Sequence, residues 1–95
     1  MLSFSWDPEK ENSNIQKHDG INFQMAARVF LDDHVIVRYD SEHSSLTEDR
    51  WNAIGMVEEV LFVVFTEIDE DCIRIISARK AEKEEKYEYY KNYNS

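Results

Sequence analysis

The stretch that decides the fold is VLFVVFT, at residues 60–66 of a 95-residue chain. Positions 60–65 are all apolar and mostly β-branched or aromatic, which is typical of a strand buried on both faces. The acidic turn 69–71 separates it from CIRIIS at 72–77, which predicts the next strand. Before it, RWNAIGM at 50–56 predicts a strand that ends in a turn at 57–59. Consecutive strands with short turns predict an antiparallel meander.

Two further segments have the composition of strands. VIVRY at 35–39 is β-branched and predicts a fourth strand of the meander, followed by a polar loop over 40–49. FSW at 4–6 alternates, with its aromatic residues on one side, and predicts an edge strand or a packed N-terminal arm.

Three segments have helical patterns. The first begins at Pro8, with Asp7 as its N-cap, and runs to about His18. The second has an apolar face over 23–30. The third begins at Ala78 and continues to the chain end, fraying near Asn92, with Tyr89 helping to anchor it and the part beyond Tyr90 mobile or ordered by a partner.

These elements predict an α+β protein. We expect one domain over 1–95, built on a compact antiparallel sheet of about four strands. Two N-terminal helices and one C-terminal helix are predicted to pack on one face of that sheet.

The composition narrows the class of protein. The chain has 20 acidic and 11 basic residues, a net charge of -9, which opposes nucleic-acid binding at long range. Its one cysteine, Cys72, excludes an internal disulfide and a cysteine-rich metal site, which fits a reducing cytoplasm. The N-terminus lacks the features of a signal peptide, and the run 60–65 is too short to span a bilayer. We therefore expect a cytoplasmic protein that does not associate with membranes.

Several segments, in chain order, resemble the BrnT family of toxins. They are FSWDPEK at 4–10, Asn14, Lys17-His18, Phe23, Ala26, Asp40, His43-Ser44, EDRW at 48–51, Ile54-Gly55, FTE at 65–67, RIISARKA at 74–81, Glu85 and Tyr89. The block at 74–81 is the most specific of these, and the resemblance covers nearly the whole chain.

The resemblance implies a RelE-like fold and a type II toxin that cleaves RNA without a metal ion or other cofactor and slows growth. It also implies a BrnA-like antitoxin partner of the ribbon-helix-helix type. RNA would be the substrate, and operator DNA would be bound only through the antitoxin.

Metal-free cleavage of RNA requires a proton acceptor for the ribose 2′-hydroxyl and cations that stabilise the charge developing on phosphorus. Arg74 and Arg79 are the first candidates, because a guanidinium matches phosphate oxygens and stays charged. His18 is the candidate for proton transfer. The alternatives are salt bridges for the two arginines and a helix C-terminal cap for His18.

Four other cations are predicted to bind RNA: Lys10, Lys17, Arg50 and Lys80. Lys10 lies two helical turns before Lys17, so both can face one cleft. A solvated lysine at position 10 and a local ion pair at Arg50 are the alternatives. His43, in the polar loop, could serve in catalysis, but the alternative favoured for a lone loop histidine is a solvated side chain. No metal ligands are assigned.

Two functions remain open from the sequence. The block at 74–81 favours the endoribonuclease toxin. The net charge of -9 favours a non-catalytic interaction or regulatory protein of the same fold that acts only in complex with a DNA-binding antitoxin.

Overall fold

A computed structural model describes residues 2–94. Within that range the strands are β1 (Ser3–Ser5), β2 (Ile36–Tyr39), β3 (Trp51–Val57), β4 (Glu59–Asp69) and β5 (Cys72–Lys80). The helices are α1 (Pro8–Lys17), α2 (Phe23–Ala27) and α3 (Lys83–Tyr93), with a 3-10 helix at Arg28–Leu31 directly after α2. No helix in the described part of the chain is long and apolar enough to cross a bilayer.

The predicted meander is confirmed, with β2, β3, β4 and β5 paired antiparallel in chain order. The expected four-stranded, wholly antiparallel sheet is wrong, because β1 pairs in parallel with β5. The result is a five-stranded mixed sheet in the order β1-β5-β4-β3-β2, with β4 in the middle. The pairing of β1 places Phe4 beside Ile73, so this short strand covers the outer edge of β5 over residues 72–74.

The helices pack on both faces of the sheet, and the expectation of a single helical face is wrong. One core cluster joins Leu61, Val63 and Phe65 of β4 to α2 and the 3-10 helix. A second cluster joins Val60, Phe62 and Val64 to Tyr89 of α3. The physical reason is the continuous apolar run of β4, whose alternate side chains need cover on each side.

The first helix has the predicted bounds. Asp7 caps it by accepting a hydrogen bond from the N–H of Glu9 at 2.9 Å, and Pro8 is its first residue. Asn14 is its one buried residue. The amide of Asn14 accepts the N–H of Ala78 at 2.9 Å and donates to the carbonyl of Ala78 at 2.8 Å. A side chain of α1 therefore bonds to the outer edge of β5 as a neighbouring strand would.

The last helix begins later than predicted. Residues 77–80 continue β5, paired with residues 61–64 of β4, so α3 starts at Lys83 rather than at Ala78. The helix ends at Tyr93, one residue beyond Asn92. Its final turn is held because the Asn92 amide donates to the carbonyl of His34 at 3.3 Å and the Tyr93 ring lies 4.0 Å from the His34 ring.

A β-bulge in β5 decides which side chains share a face. Phe65 pairs with Ile75 and Val64 pairs with Ser77, so Ile76 is an extra residue without a partner. In a regular strand, Arg74 and Arg79 would point to opposite faces, because they are five residues apart. The bulge places both on the side of the sheet that carries α3.

Candidate functional site

The α3 side of the sheet carries a row of polar side chains that we call the polar face: Arg38, Asn52, Thr66, Arg74, Ser77 and Arg79. The strand register shows that they share one side, because opposite residues in antiparallel pairs point the same way. Arg38 is opposite Asn52, Thr66 is opposite Arg74, and Phe62 in the α3 core is opposite Arg79. The sheet therefore places Arg38 of β2 on the same side as Arg74 and Arg79 of β5.

Arg79 lies on β5 and not at the strand–helix junction where it was expected. Its guanidinium forms a two-point ion pair with Glu85 of α3, with N–O distances of 2.8 and 2.9 Å. The group lies over the Phe62 ring, 4.2 Å from its centroid, and Glu82 is 3.7 Å away. Hydrogen bonding to Glu85 raises the pKa of Arg79 above its usual value. The predicted alternative, a salt bridge, is therefore present.

The pair with Glu85 leaves part of Arg79 open. Three of the five guanidinium N–H bonds are used, two by Glu85 and one by the Lys80 carbonyl at 3.2 Å. The Nε–H and one N–H of Nη2 remain for a second oxyanion. Arg79 can therefore hold a phosphate oxygen without leaving Glu85.

Arg74 is exposed and lines a surface groove of about 600 Å³ with Thr47–Asp49, Trp51 and 66–68. Within residues 2–94, it makes no ion pair with a carboxylate. Its charge is therefore available to a ligand at the polar face, although it lies in a different groove from the other predicted catalytic residues.

The predicted residues of α1 do come together. Lys10, Lys17 and His18 line a small cleft of about 210 Å³ between α1 and β5, together with Ser77. Lys10 and Lys17 make no ion pair within the part of the chain that is described, and they lie roughly 10 Å apart along the helix axis. His18 also caps α1, but with its backbone N–H, which bonds to Asn14 at 2.8 Å. Its ring is not needed for that cap.

The remaining two predicted cations have acidic neighbours. Arg50 Nε bonds to Glu48 at 2.8 Å, which is the local ion pair that was the alternative for this residue. Lys80 lies 4.0 Å from Asp19 and 3.7 Å from Glu59. These contacts make Arg50 and Lys80 weaker candidates for phosphate binding than Lys10 and Lys17.

Sequence reasoning missed a polar network at the border of this face. His43 Nδ1 lies 2.8 Å from Oδ2 of Asp40, which is buried. Asn52 donates to the same carboxylate oxygen at 3.3 Å and accepts from Arg38 Nε at 3.5 Å. Arg38 also forms an ion pair with Glu88 of α3. The spacing Asp-x-x-His at 40–43 was the available signal, because an aspartate often folds a loop by accepting the N–H groups that follow it.

The two halves of the site are coupled electrostatically. Burial alone would raise the pKa of Asp40, but hydrogen bonds from His43 and Asn52 outweigh it and lower that pKa. Burial opposes ionisation of Glu85 in the same way, and Arg79 lowers its pKa. The charge of Asp40 acts on Arg79, and the charge of Arg38 acts on Glu85. Both carboxylates are thus ionised parts of one charged network.

Asp40, Glu42 and His43 also have the spacing of metal ligands, with one potential ligand atom of each within 4.8 Å of the others. In the structure, His43 Nδ1 and Asp40 Oδ2 form a hydrogen bond to each other. Asp40 and His43 therefore form a carboxylate–imidazole pair.

Fold and site together define a small α+β protein with a net charge of -9 and two clefts beside the sheet whose linings include basic residues. Residues 6–85 match the family described as "Ribonuclease toxin, BrnT, of type II toxin-antitoxin system". The chain belongs to this family, and membership implies an antitoxin partner. No curated protein matches the sequence.

A solved structure supports the assignment. The chain resembles the crystal structure of the Brucella abortus ribonuclease toxin BrnT, with a TM-score of 0.64 and 26% sequence identity. The match covers 87% of this chain and 100% of the Brucella chain.

Proposed function

We propose that this chain is the toxin of a type II system and inhibits growth as a metal-independent endoribonuclease. The observation that carries the proposal is the set of cations without ion pairs beside the polar face: Lys10 and Lys17 in the α1 cleft and Arg74 on β5. Lys10 and Lys17 place two positive charges beside a cleft whose lining, within residues 2–94, contains no acidic residue, on a chain with a net charge of -9.

In this proposal the RNA backbone follows the α1 cleft onto the polar face. Lys10 and Lys17 bind phosphates, and Arg79 uses its open edge to stabilise the charge on the phosphorus under attack. Arg74 binds the next part of the strand, and His18, beside Ser77, exchanges a proton with the substrate or product.

The test is cleavage of RNA by the purified chain in EDTA. The wild type should cleave, and Arg79→Ala should reduce the rate roughly 30-fold to 1,000-fold, as expected for loss of one charge directed at phosphate. Lys17→Ala should weaken RNA binding and leave the other measured properties unchanged. Lys91→Ala, a cation in the last turn of α3, is the matched control. Cleavage that requires an added divalent cation would contradict metal independence.

We further propose that the partner is a basic antitoxin of the ribbon-helix-helix type, which alone contacts operator DNA. The supporting observation is charge, because a chain at -9 attracts a DNA-binding partner of opposite sign. Association should slow as salt rises, because ions screen that attraction. A saturating amount of antitoxin should stop cleavage, and full activity in the complex would contradict the proposal.

One observation favours a second function. Glu85 holds Arg79 in a two-point ion pair, and the chain as a whole is acidic. If Arg79 serves only to hold α3 on the sheet, the chain does not cleave RNA. It would then be a non-catalytic interaction protein that acts only in complex with its antitoxin. Tight antitoxin binding by a purified chain that leaves RNA intact would establish this function instead.

A further inference from the structure

We propose that His43, oriented by Asp40 and Asn52, is the residue that accepts the 2′-hydroxyl proton during RNA cleavage. This inference rests on the proposed endoribonuclease function and adds a catalytic residue and two positioning residues to it. It follows from the geometry of the 40–52 segment, in which a buried carboxylate holds an exposed imidazole.

The direction of the hydrogen bond sets the tautomer of the neutral ring. An ionised carboxylate can only accept, so Nδ1 of His43 donates to Asp40 across the 2.8 Å contact. Neutral imidazole carries one N–H, which leaves a lone pair on Nε2. The side chain of His43 is 45% exposed and that of Asp40 only 6%, so the ring is fixed from its buried side and open on the other. Within residues 2–94, Nε2 has no hydrogen-bond partner.

The carboxylate is itself held in place. Its Oδ1 accepts the backbone N–H of His43 at 3.1 Å, and its Oδ2 accepts the amide of Asn52 at 3.3 Å. The Asp40 backbone bonds to the Arg50 carbonyl at 2.9 Å, and Ser44 Oγ accepts the Arg50 N–H at 2.8 Å. These bonds close the loop at its base, so His43 is positioned before a substrate arrives.

The pair lies on the same side of the sheet as Arg79. Asn52, which contacts Asp40, belongs to the polar face, and the charge of Asp40 acts on Arg79. A phosphate on the open edge of Arg79 therefore lies on the same side of the sheet as the Asp40–His43 pair. His18 has no comparable support, because no carboxylate in the described residues contacts its ring.

The step balances without any other reactant. Nε2 of His43 takes the proton of the ribose 2′-hydroxyl, and the 2′-oxygen forms a bond to the adjacent phosphorus. The bond from phosphorus to the 5′-oxygen breaks, and that oxygen takes a proton from solvent or from His18, which then regains a proton from solvent. His43 then returns its proton to solvent, which leaves a 2′,3′-cyclic phosphate and a 5′-hydroxyl end. No electron transfer and no metal ion enter this step.

The test compares histidine variants of the full chain on a mixed-sequence RNA in EDTA. His43→Ala should lower kcat about 100-fold to 10,000-fold and remove the fall in rate at acidic pH that protonation of a base causes. Free imidazole should restore part of the activity. The matched control is His34→Ala, because the ring of His34 contacts Tyr93 at the far end of α3, and this variant should cleave at the wild-type rate.

The titratable and charged groups that face His43 are Asp40, Glu42 and, through Asp40, Arg79.

Asp40→Asn tests the positioning role. It should lower kcat about 10-fold to 100-fold with little change in KM, because substrate binding does not involve a buried carboxylate. Circular dichroism and the thermal midpoint report whether each variant is folded. A folded His43→Ala that cleaves with wild-type rate and pH profile would overturn this inference and leave the ribonuclease function standing. A wild-type chain that leaves RNA intact would overturn both.

Discussion

A single carboxylate, Asp32, joins three elements. Its Oδ2 accepts the Tyr89 hydroxyl of α3 at 2.5 Å and the N–H of Met56 in β3 at 2.8 Å. Its Oδ1 accepts the N–H of His34 at 2.9 Å, just after the 3-10 helix. Burial would raise the pKa of Asp32, but these bonds outweigh it and lower that pKa. The predicted anchor role of Tyr89 thus depends on its hydroxyl as well as its ring.

Tyr89→Phe should lower the free energy of unfolding by about 1.5–3 kcal/mol, as expected for loss of a hydrogen bond to a charged group. Urea denaturation at neutral pH measures it. Tyr90→Phe, at the exposed next position, is the control and should change stability by less than about 0.5 kcal/mol. Equal stability of the two variants would mean that the aromatic ring alone anchors α3.

At this scale the sequence predicted the cations of the site by residue type but not their partners. Lys10, Lys17 and His18 line one cleft because helical periodicity fixes their spacing, and their role in RNA binding or cleavage stays a prediction. The ion pair of Arg79 with Glu85 and the contact of His43 with Asp40 depend on rotamers and on how loops pack. Neither has a periodic signature in the sequence.

Gly55 decides how closely the 3-10 helix packs on β3. A Cβ added at Gly55 would lie 2.9 Å from Val29 Cβ and 3.0 Å from the Val29 carbonyl oxygen. Both are closer than ordinary contacts, and the carbonyl belongs to the backbone, so the 3-10 helix would have to move. The missing side chain of Gly55 is therefore a packing requirement of these two elements.

Gly55→Ala should lower the free energy of unfolding by about 1–3 kcal/mol, and Gly55→Val by more, because each added carbon overpacks the contact. Strand propensity alone predicts the opposite order, since valine is favoured in strands. Chemical denaturation of the two variants distinguishes these effects. A gain in stability on going from glycine to valine would show that the 3-10 helix moves without cost.

The elements themselves were predictable where hydrophobic periodicity is strong. The apolar run 60–65 and the strands on either side of it predicted the meander, and the N-cap at Asp7 predicted the start of α1. The bulge at Ile76 was not predictable, because Ile75-Ile76 reads as continuous apolar sequence whether or not a residue is extra. The face on which α3 packs and the pairing of β1 depend on which surfaces the rest of the fold leaves uncovered.

Across the whole molecule, three partly or fully buried carboxyls share one property that affects stability. Asp32, Asp40 and Glu85 all have their pKa lowered in the folded chain. At pH values between its folded and its unfolded pKa, each carboxyl therefore binds fewer protons in the folded chain than in the unfolded chain. Their contribution to stability is complete above the unfolded pKa, near 4, and is lost as pH falls through the lower folded values.

Stability should therefore be nearly constant from neutral pH down to about pH 5 and then fall steeply. Asp32→Asn should be less stable at pH 7 and show a shallower fall in acid. Asp33→Asn, at the exposed next position, should keep the wild-type profile. Denaturation at a series of pH values gives the comparison, and a wild-type slope for Asp32→Asn would assign the acid sensitivity to other groups.

The contact between Asn14 and Ala78 has a consequence for how molecules of this protein meet one another. The outer edge of β5 is closed at one end by β1 and further along by the amide of Asn14. An uncovered edge of this kind is a template for strands of other copies, and self-association through it is hard to reverse. By closing that edge, Asn14 and β1 protect a strand-rich chain from intermolecular β-sheet growth at the outer edge of β5 whenever its concentration in the cell rises.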